Sequence, residues 1–169
     1  MGVELTAETV RFLEGRAAMI VGVVDPDGVP FAARAWGMVH HPDEPSRFRV
    51  LLDADDADHL THLGGGGRIA ITCGDVPTLR SCQVKARVDA FVPVTEDDLE
   101  LWRRNADGVF DDIETTDHIP RHLIERIRPW AVIACTVLVE ELYDQTPGPG
   151  AGGPIPGIEA GGPTPRPSS

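Results

Sequence analysis

Basic charge is in short supply in this sequence. Among 169 residues, 15 are Lys or Arg and 27 are Asp or Glu, which sets the formal net charge at -12. Proteins that bind nucleic acid present a basic face to the phosphates, so that class is not expected. Adhesion to anionic membranes is not expected either. Long hydrophobic runs are also missing. The early apolar run from Ala17 to Val24 has acidic residues ahead of it. It is too short for a membrane span and unlike a signal peptide. The expectation is a cytoplasmic protein.

Cysteine is scarce. Cys73, Cys82 and Cys135 are odd in number, sit in apolar, strand-like contexts and lack zinc-ligand spacing. They read as reduced core residues and not as a disulfide frame. Catalytic signatures are absent as well. There is no G-x-S-x-G elbow, and neither Ser81 nor Cys82 has a spacing relation to a histidine. Gly64 to Gly67 follow a helical stretch and precede no Lys-Ser/Thr, so they read as a C-cap and turn and not as a phosphate loop. Glu140 and Glu141 are neighbours on a strand and are expected to face opposite ways. A chain without acid–base or nucleophilic machinery either binds something or uses a cofactor that carries the chemistry.

What is present is strand. Ala17 to Val24 reads as a buried strand, Asp25-Pro26-Asp27-Gly28 as a turn, and Val29 to His40 as the returning strand of a hairpin. Arg47 to Asp53 and Arg68 to Cys73 read as further strands, and Thr78 to Val94 as one long strand. Trp130 to Leu142 is the last, too β-branched and apolar for anything else. Helices are expected over Thr6 to Leu13, Asp55 to Leu63, Thr95 to Asn105 and Pro120 to Ile127, with Ala106 to Asp117 only weakly patterned. The fold class is therefore mainly β (α+β), a six-stranded antiparallel barrel with flanking helices. Residues 1–145 form the domain. Residues 146–169, with seven prolines and seven glycines, read as a disordered or loosely docked tail, or one that drapes over a partner subunit.

Two kinds of side chain remain as candidates for chemistry. His59 and His62 are three apart on a helical stretch, but spacing fixes no third ligand and no metal site is assigned. His118 and His122 are separated by Pro120, which places His118 outside the helix. Cations concentrate on strands. Arg34 and Trp36 share a face of the second strand, and Arg80 and Lys85 lie on the fifth with Ser81 and Gln83 between them. Such a set suits an anion such as phosphate. The same residues also fit the solvated face of a half-exposed strand, and spacing does not decide whether they converge.

Several stretches together resemble the pyridoxamine 5'-phosphate oxidase-like, FMN-binding split-barrel superfamily. They are AAMIVGVVDPDGVPFAARAWG with its Ala33-Arg34 pair, ADHLTHLGGGGRIAITC with its Arg68 to Thr72 run, and TLRSCQVKARV with Gln83 to Ala86. The resemblance covers residues 10–146 and implies a homodimer with flavin sites in clefts between subunits. It implies that Arg34 and Lys85 contact the flavin phosphate or ribityl chain, that Gln83 and Ser81 support them, and that Trp36 or Trp130 lines the cleft. FMN is the implied cofactor, with deazaflavin or haem as alternatives, and the implied activity is a reductase or oxidase acting on a small molecule. A non-enzymatic flavin- or haem-binding module is the other reading. Arg34 is followed by Ala-Trp-Gly-Met and not by the Leu-Leu-Lys run of the superfamily's fuller phosphate signature. Oxidation of pyridoxamine phosphate itself is therefore not expected.

Overall fold

Alternating apolar residues close the chain into a barrel. In the computed structural model, which describes residue 3 and residues 5–155, ten elements follow one another. They are α1 (Ala7–Leu13), β1 (Ala18–Val24), β2 (Pro30–His40), β3 (Arg47–Asp53), α2 (Ala57–Leu60), β4 (Arg68–Gly74), β5 (Ser81–Val92), α3 (Glu96–Asp117), α4 (Arg121–Ile124) and β6 (Val132–Asp144). The strands form one closed antiparallel barrel in the order β1-β2-β3-β6-β5-β4. Met19, Val21 and Val23 of β1 meet Phe48, Val50 and Leu52 of β3 and Val84, Ala86 and Val88 of β5 in its interior. Closure leaves no sheet edge unpaired, which removes the usual route to edge-to-edge aggregation.

A second apolar layer lies outside the barrel. Trp36, Leu51, Val132 and Ala134 pack there against Leu101, Trp102, Ala106 and Phe110 of α3. α3 starts at Thr95, whose hydroxyl accepts from the Asp98 N–H at 3.2 Å, while the Asp98 carboxylate accepts from the Thr95 N–H at 2.7 Å. This reciprocal capping satisfies two otherwise orphaned donors. The helix does not stop at Asn105 as its sequence suggested. Ala106, Phe110 and the partly buried Ile113 continue the apolar stripe to Asp117. Gly108 lies within this helix, and its missing side chain leaves room for the Arg16 side chain packed over it.

Three other boundaries move. β5 begins at Ser81 and not Thr78, because Asp75 ties up the preceding turn and Leu79 takes a left-handed φ of 60°. Trp130 lies outside β6 and is 93% exposed. The stretch 54–63 is a chain of short 3-10 and α turns, not one helix. The three cysteines are free and buried. Burial pushes the Cys135 thiol up to about 12. Past β6 the chain folds back, with the Gly152 N–H donating to Asp144 O at 2.6 Å and a bridge between Tyr143 and Pro154. The rest of the tail, 156–169, lies outside the described residues.

Candidate functional site

Strand register decides which outward side chains share a surface. Around the barrel, Arg34 of β2 pairs with Ile20 of β1, Ile20 with Thr72 of β4, Thr72 with Gln83 of β5, and Gln83 with Tyr143 of β6. The next outward row is Ala32, Gly22, Ala70, Lys85 and Glu141. Its small members, Ala32, Gly22 and Ala70, floor a cleft of about 810 Å³. The β1–β2 turn at Asp25 and Pro26 stands on one side, and Arg68, Lys85, Glu140 and Glu141 on the other. That volume lies within the usual range for small-molecule sites.

The cationic edge of the cleft is partly neutralised. Lys85 Nζ lies 3.4 Å from Glu141 Oε2 and 4.6 Å from the centre of the Tyr143 ring. The Tyr143 hydroxyl donates to the same carboxylate. That bond first, and Lys85 after it, hold the Glu141 carboxyl below its ordinary range, and the bond raises the Tyr143 hydroxyl in turn. Arg87 pairs with Glu140. Arg68 and Arg34 form no ion pair among the described residues. These two guanidinium groups are therefore the cations on this face that remain open to an anion.

Glu140 and Glu141 do not face opposite ways. A bulge between Lys85 and Ala86 of β5 pairs Lys85 with Glu141 but Ala86 with Val139, leaving Glu140 as the extra residue. Val139 and Leu142 are buried, and both glutamates line the cleft. The parity argument fails because a bulge inserts one residue without a partner.

The candidate residues divide among three places. Lys85 lines the cleft, and Gln83, two residues along β5, donates from Nε2 to Thr72 Oγ1 at 3.2 Å. Ser81 lies in a different hollow of about 440 Å³, beside Arg80, Glu8 and Thr146. Its hydroxyl donates to Leu79 O at 2.9 Å. Trp36 is buried under α3, where it meets Phe110 edge to face. Arg34 lies on the same outward face as Lys85 but three strands away, about 15 Å at normal strand spacing. Trp130 does not line the cleft. His59 stacks on Phe31, with ring centroids 4.2 Å apart, while His62 reaches the cleft wall.

Arg68, Tyr143 and Glu141 had no assigned role in the sequence. Arg68 was visible in the RIAITC run, but its place beside Lys85 follows from β4–β5 pairing, which no local spacing reveals.

No family model matches the sequence, and no curated protein matches it. Solved structures do show likeness in shape. A candidate pyridoxamine 5'-phosphate oxidase from Lactobacillus delbrueckii is 16% identical, with a TM-score of 0.49, over 85% of this chain and 99% of that one. A Clostridium acetobutylicum protein related to general stress protein 26, of the pyridoxinephosphate oxidase family, is 13% identical, with a TM-score of 0.46, over 81% and 84%. An FAD-binding protein from Mesorhizobium loti is 9% identical, with a TM-score of 0.43, over 82% and 92%. Likeness of this degree assigns no activity.

Proposed function

We propose that this chain is a flavin-binding oxidoreductase, with FMN as the first candidate, acting as a reductase or oxidase on a small molecule. The observation that carries the reading is the cleft floored by Gly22, Ala32 and Ala70 and edged by Arg68 and Lys85. Small residues on an outward strand face leave a flat floor on which a planar ring system can lie. Apolar lining with a few fixed polar groups is the usual composition of such sites. The donor set fits the group: Arg68 and Lys85 would hold its phosphate, and Gln83 and Arg34 lie further along the face for its polar chain. Bound flavin supplies hydride acceptance or delivery, and the protein's share is to bind, orient and exclude water.

The outward face also carries exposed apolar residues. Ile20, Val24 and Val29 are 42%, 58% and 57% exposed. A second copy of the chain would cover them and close the cleft, which makes the reading that of a homodimer. Haem is the second reading, because His62 on the cleft wall offers an imidazole of the kind that ligates haem iron.

The absorbance spectrum of the purified protein, with mass spectrometry of what it releases on denaturation, separates these readings. Flavin bands that bleach on addition of a nicotinamide or deazaflavin donor support the enzyme. A Soret band favours haem. A colourless protein that takes up no flavin on titration removes the proposal.

A further inference from the structure

Two of the three thiols in the barrel interior face each other. β4 and β5 form a hairpin, and its register sets Cys73 directly opposite Cys82. Both belong to the interior apolar cluster. Cys135 belongs to it too, but its strand neighbours are Val50 and Phe91.

Backbone bonding fixes the spacing of the facing pair. The Asp75 N–H donates to Arg80 O at 2.8 Å across the hairpin. Ser81 turns the other way: its N–H donates to Thr146 Oγ1 at 3.0 Å, and its carbonyl accepts from the Gln145 N–H at 2.9 Å. Sides alternate along an antiparallel ladder, so Cys73 and Cys82 are the next hydrogen-bonded pair, with Cα atoms about 5.5 Å apart. A disulfide spans Cα separations of roughly 4.4–6.8 Å. The thiols themselves interact: the Cys82 thiol first, and burial after it, push the Cys73 thiol well above its ordinary range. Closing a bond between them removes two hydrogens and adds no atom to a packed interior. Access distinguishes the three cysteines. Cys82 is 3% exposed, while Cys73 and Cys135 are both 0%. Cys82 is also one of the residues that line the hollow of about 440 Å³ between α1 and the ends of β5 and β6.

We propose that Cys73 and Cys82 are a redox pair that a hydroperoxide entering this hollow closes to a disulfide. Cys82 Sγ attacks one peroxide oxygen and the O–O bond breaks. A sulfenic acid forms, and with hydrogen peroxide the departing oxygen leaves as water with the Cys82 proton. Cys73 Sγ then attacks Cys82 Sγ. The S–S bond forms, and the sulfenic hydroxyl leaves as water with the Cys73 proton. The two thiols together lose two electrons, and the peroxide gains them. A thiol reductant reverses the bond. The pair uses no residue that lines the flavin cleft, so it stands or falls apart from the flavin reading.

The test treats the reduced, native full chain with hydrogen peroxide, then unfolds it in N-ethylmaleimide and maps the labels by mass. Arg80 lies between the two cysteines, so trypsin separates their peptides. The untreated chain is expected to carry a label on each of its three cysteines. The treated chain should carry a label on Cys135 alone, with the Cys73 and Cys82 peptides joined. Dithiothreitol should restore the other two labels. In Cys73→Ala, peroxide should leave a Cys82 sulfenic acid that dimedone captures, and no bridge within the chain. Cys135→Ala should close the pair as the wild type does. Full labelling of the wild type after peroxide overturns the proposal. So does a bridge to Cys135, a bridge between two chains, or direct passage of Cys82 to sulfinic or sulfonic acid. A bridge that forms only when peroxide meets the unfolded chain overturns it as well. The wild-type map decides the matter even where a variant fails to fold.

Discussion

Where α3 crosses β2, β3 and β6, the outside of the barrel becomes a second core; around β1 and β4 the outside stays bare. The covered face is held by Phe110, which is fully buried, and by a clasp in which Arg49 Nε donates to Asp98 Oδ1 at 2.7 Å. The bare face carries exposed Ile20 and Val24, a floor of Gly22, Ala32 and Ala70, and Arg34 and Arg68, which form no ion pair among the described residues. Both faces contain a bulge, and the two bulges do different things. On the covered face the bulge admits a helix by turning Trp36 and Gly37 outward. On the bare face it sets Glu140 and Glu141 side by side against β5 cations. A barrel outer face that is finished in one sector and left small, apolar and cationic in another separates stability from binding, and the two sectors should respond differently to mutation.

The largest effect belongs to the covered face. Phe110→Ala should cost about 3–5 kcal/mol, the range for removing a fully buried phenyl ring, read as a drop in the denaturation midpoint. Asp98→Asn should follow at about 3 kcal/mol, the lower end for breaking a buried pair, because Arg49 keeps part of its solvent contact. Burial opposes ionisation of Asp98, but its bonds to Arg49 and Thr95 outweigh burial and hold its pKa below the ordinary value. A lowered folded pKa means that the contribution is complete above the unfolded value of about 3.9. It is lost as pH falls through the folded value. Acid titration of stability should therefore be shallower in Asp98→Asn than in the wild type.

On the bare face, stability should hardly move. Lys85→Ala and Arg68→Ala should each change it by no more than about 0.5 kcal/mol. Each should weaken flavin binding by roughly 1.5–3 kcal/mol, the value of a charge-assisted bond to phosphate, as read by titration of absorbance. The smallest effect is expected from Glu141→Gln. It releases Lys85 from an exposed pair worth about 0–1 kcal/mol and should tighten flavin binding by no more than that. Weaker binding in this variant would place Lys85 outside the phosphate site.

Much of the barrel was legible in local pattern. Alternation located Arg47 to Asp53 and the long fifth strand, apolar and β-branched runs located the first and last, and the Asp25 to Gly28 turn located the first hairpin. What stayed hidden depends on partners distant in sequence. Ala106 to Asp117 looked weakly patterned because it is acidic and its few apolar residues, Ala106, Phe110 and Ile113, gain their meaning only from packing with Trp36. The candidate cations were visible individually, but their distribution was not. Two strands, β1 and β4, lie between Arg34 and β5, and only the closed register separates Arg34 from Lys85 and sets Arg68 beside it. Glu140 and Glu141 were misread for a related reason, since strand parity holds only until a bulge resets it.

The measurement that bears most directly on the bare face as the flavin site is a fluorescence titration of FMN against the wild type and Ala70→Trp side by side. Ala70 lies between Gly22 and Lys85 on the cleft floor, and an outward strand position accepts an indole readily. The account predicts saturable quenching of FMN by the wild type and none by Ala70→Trp, at an unchanged melting temperature. Equal, saturable binding by both proteins would contradict it.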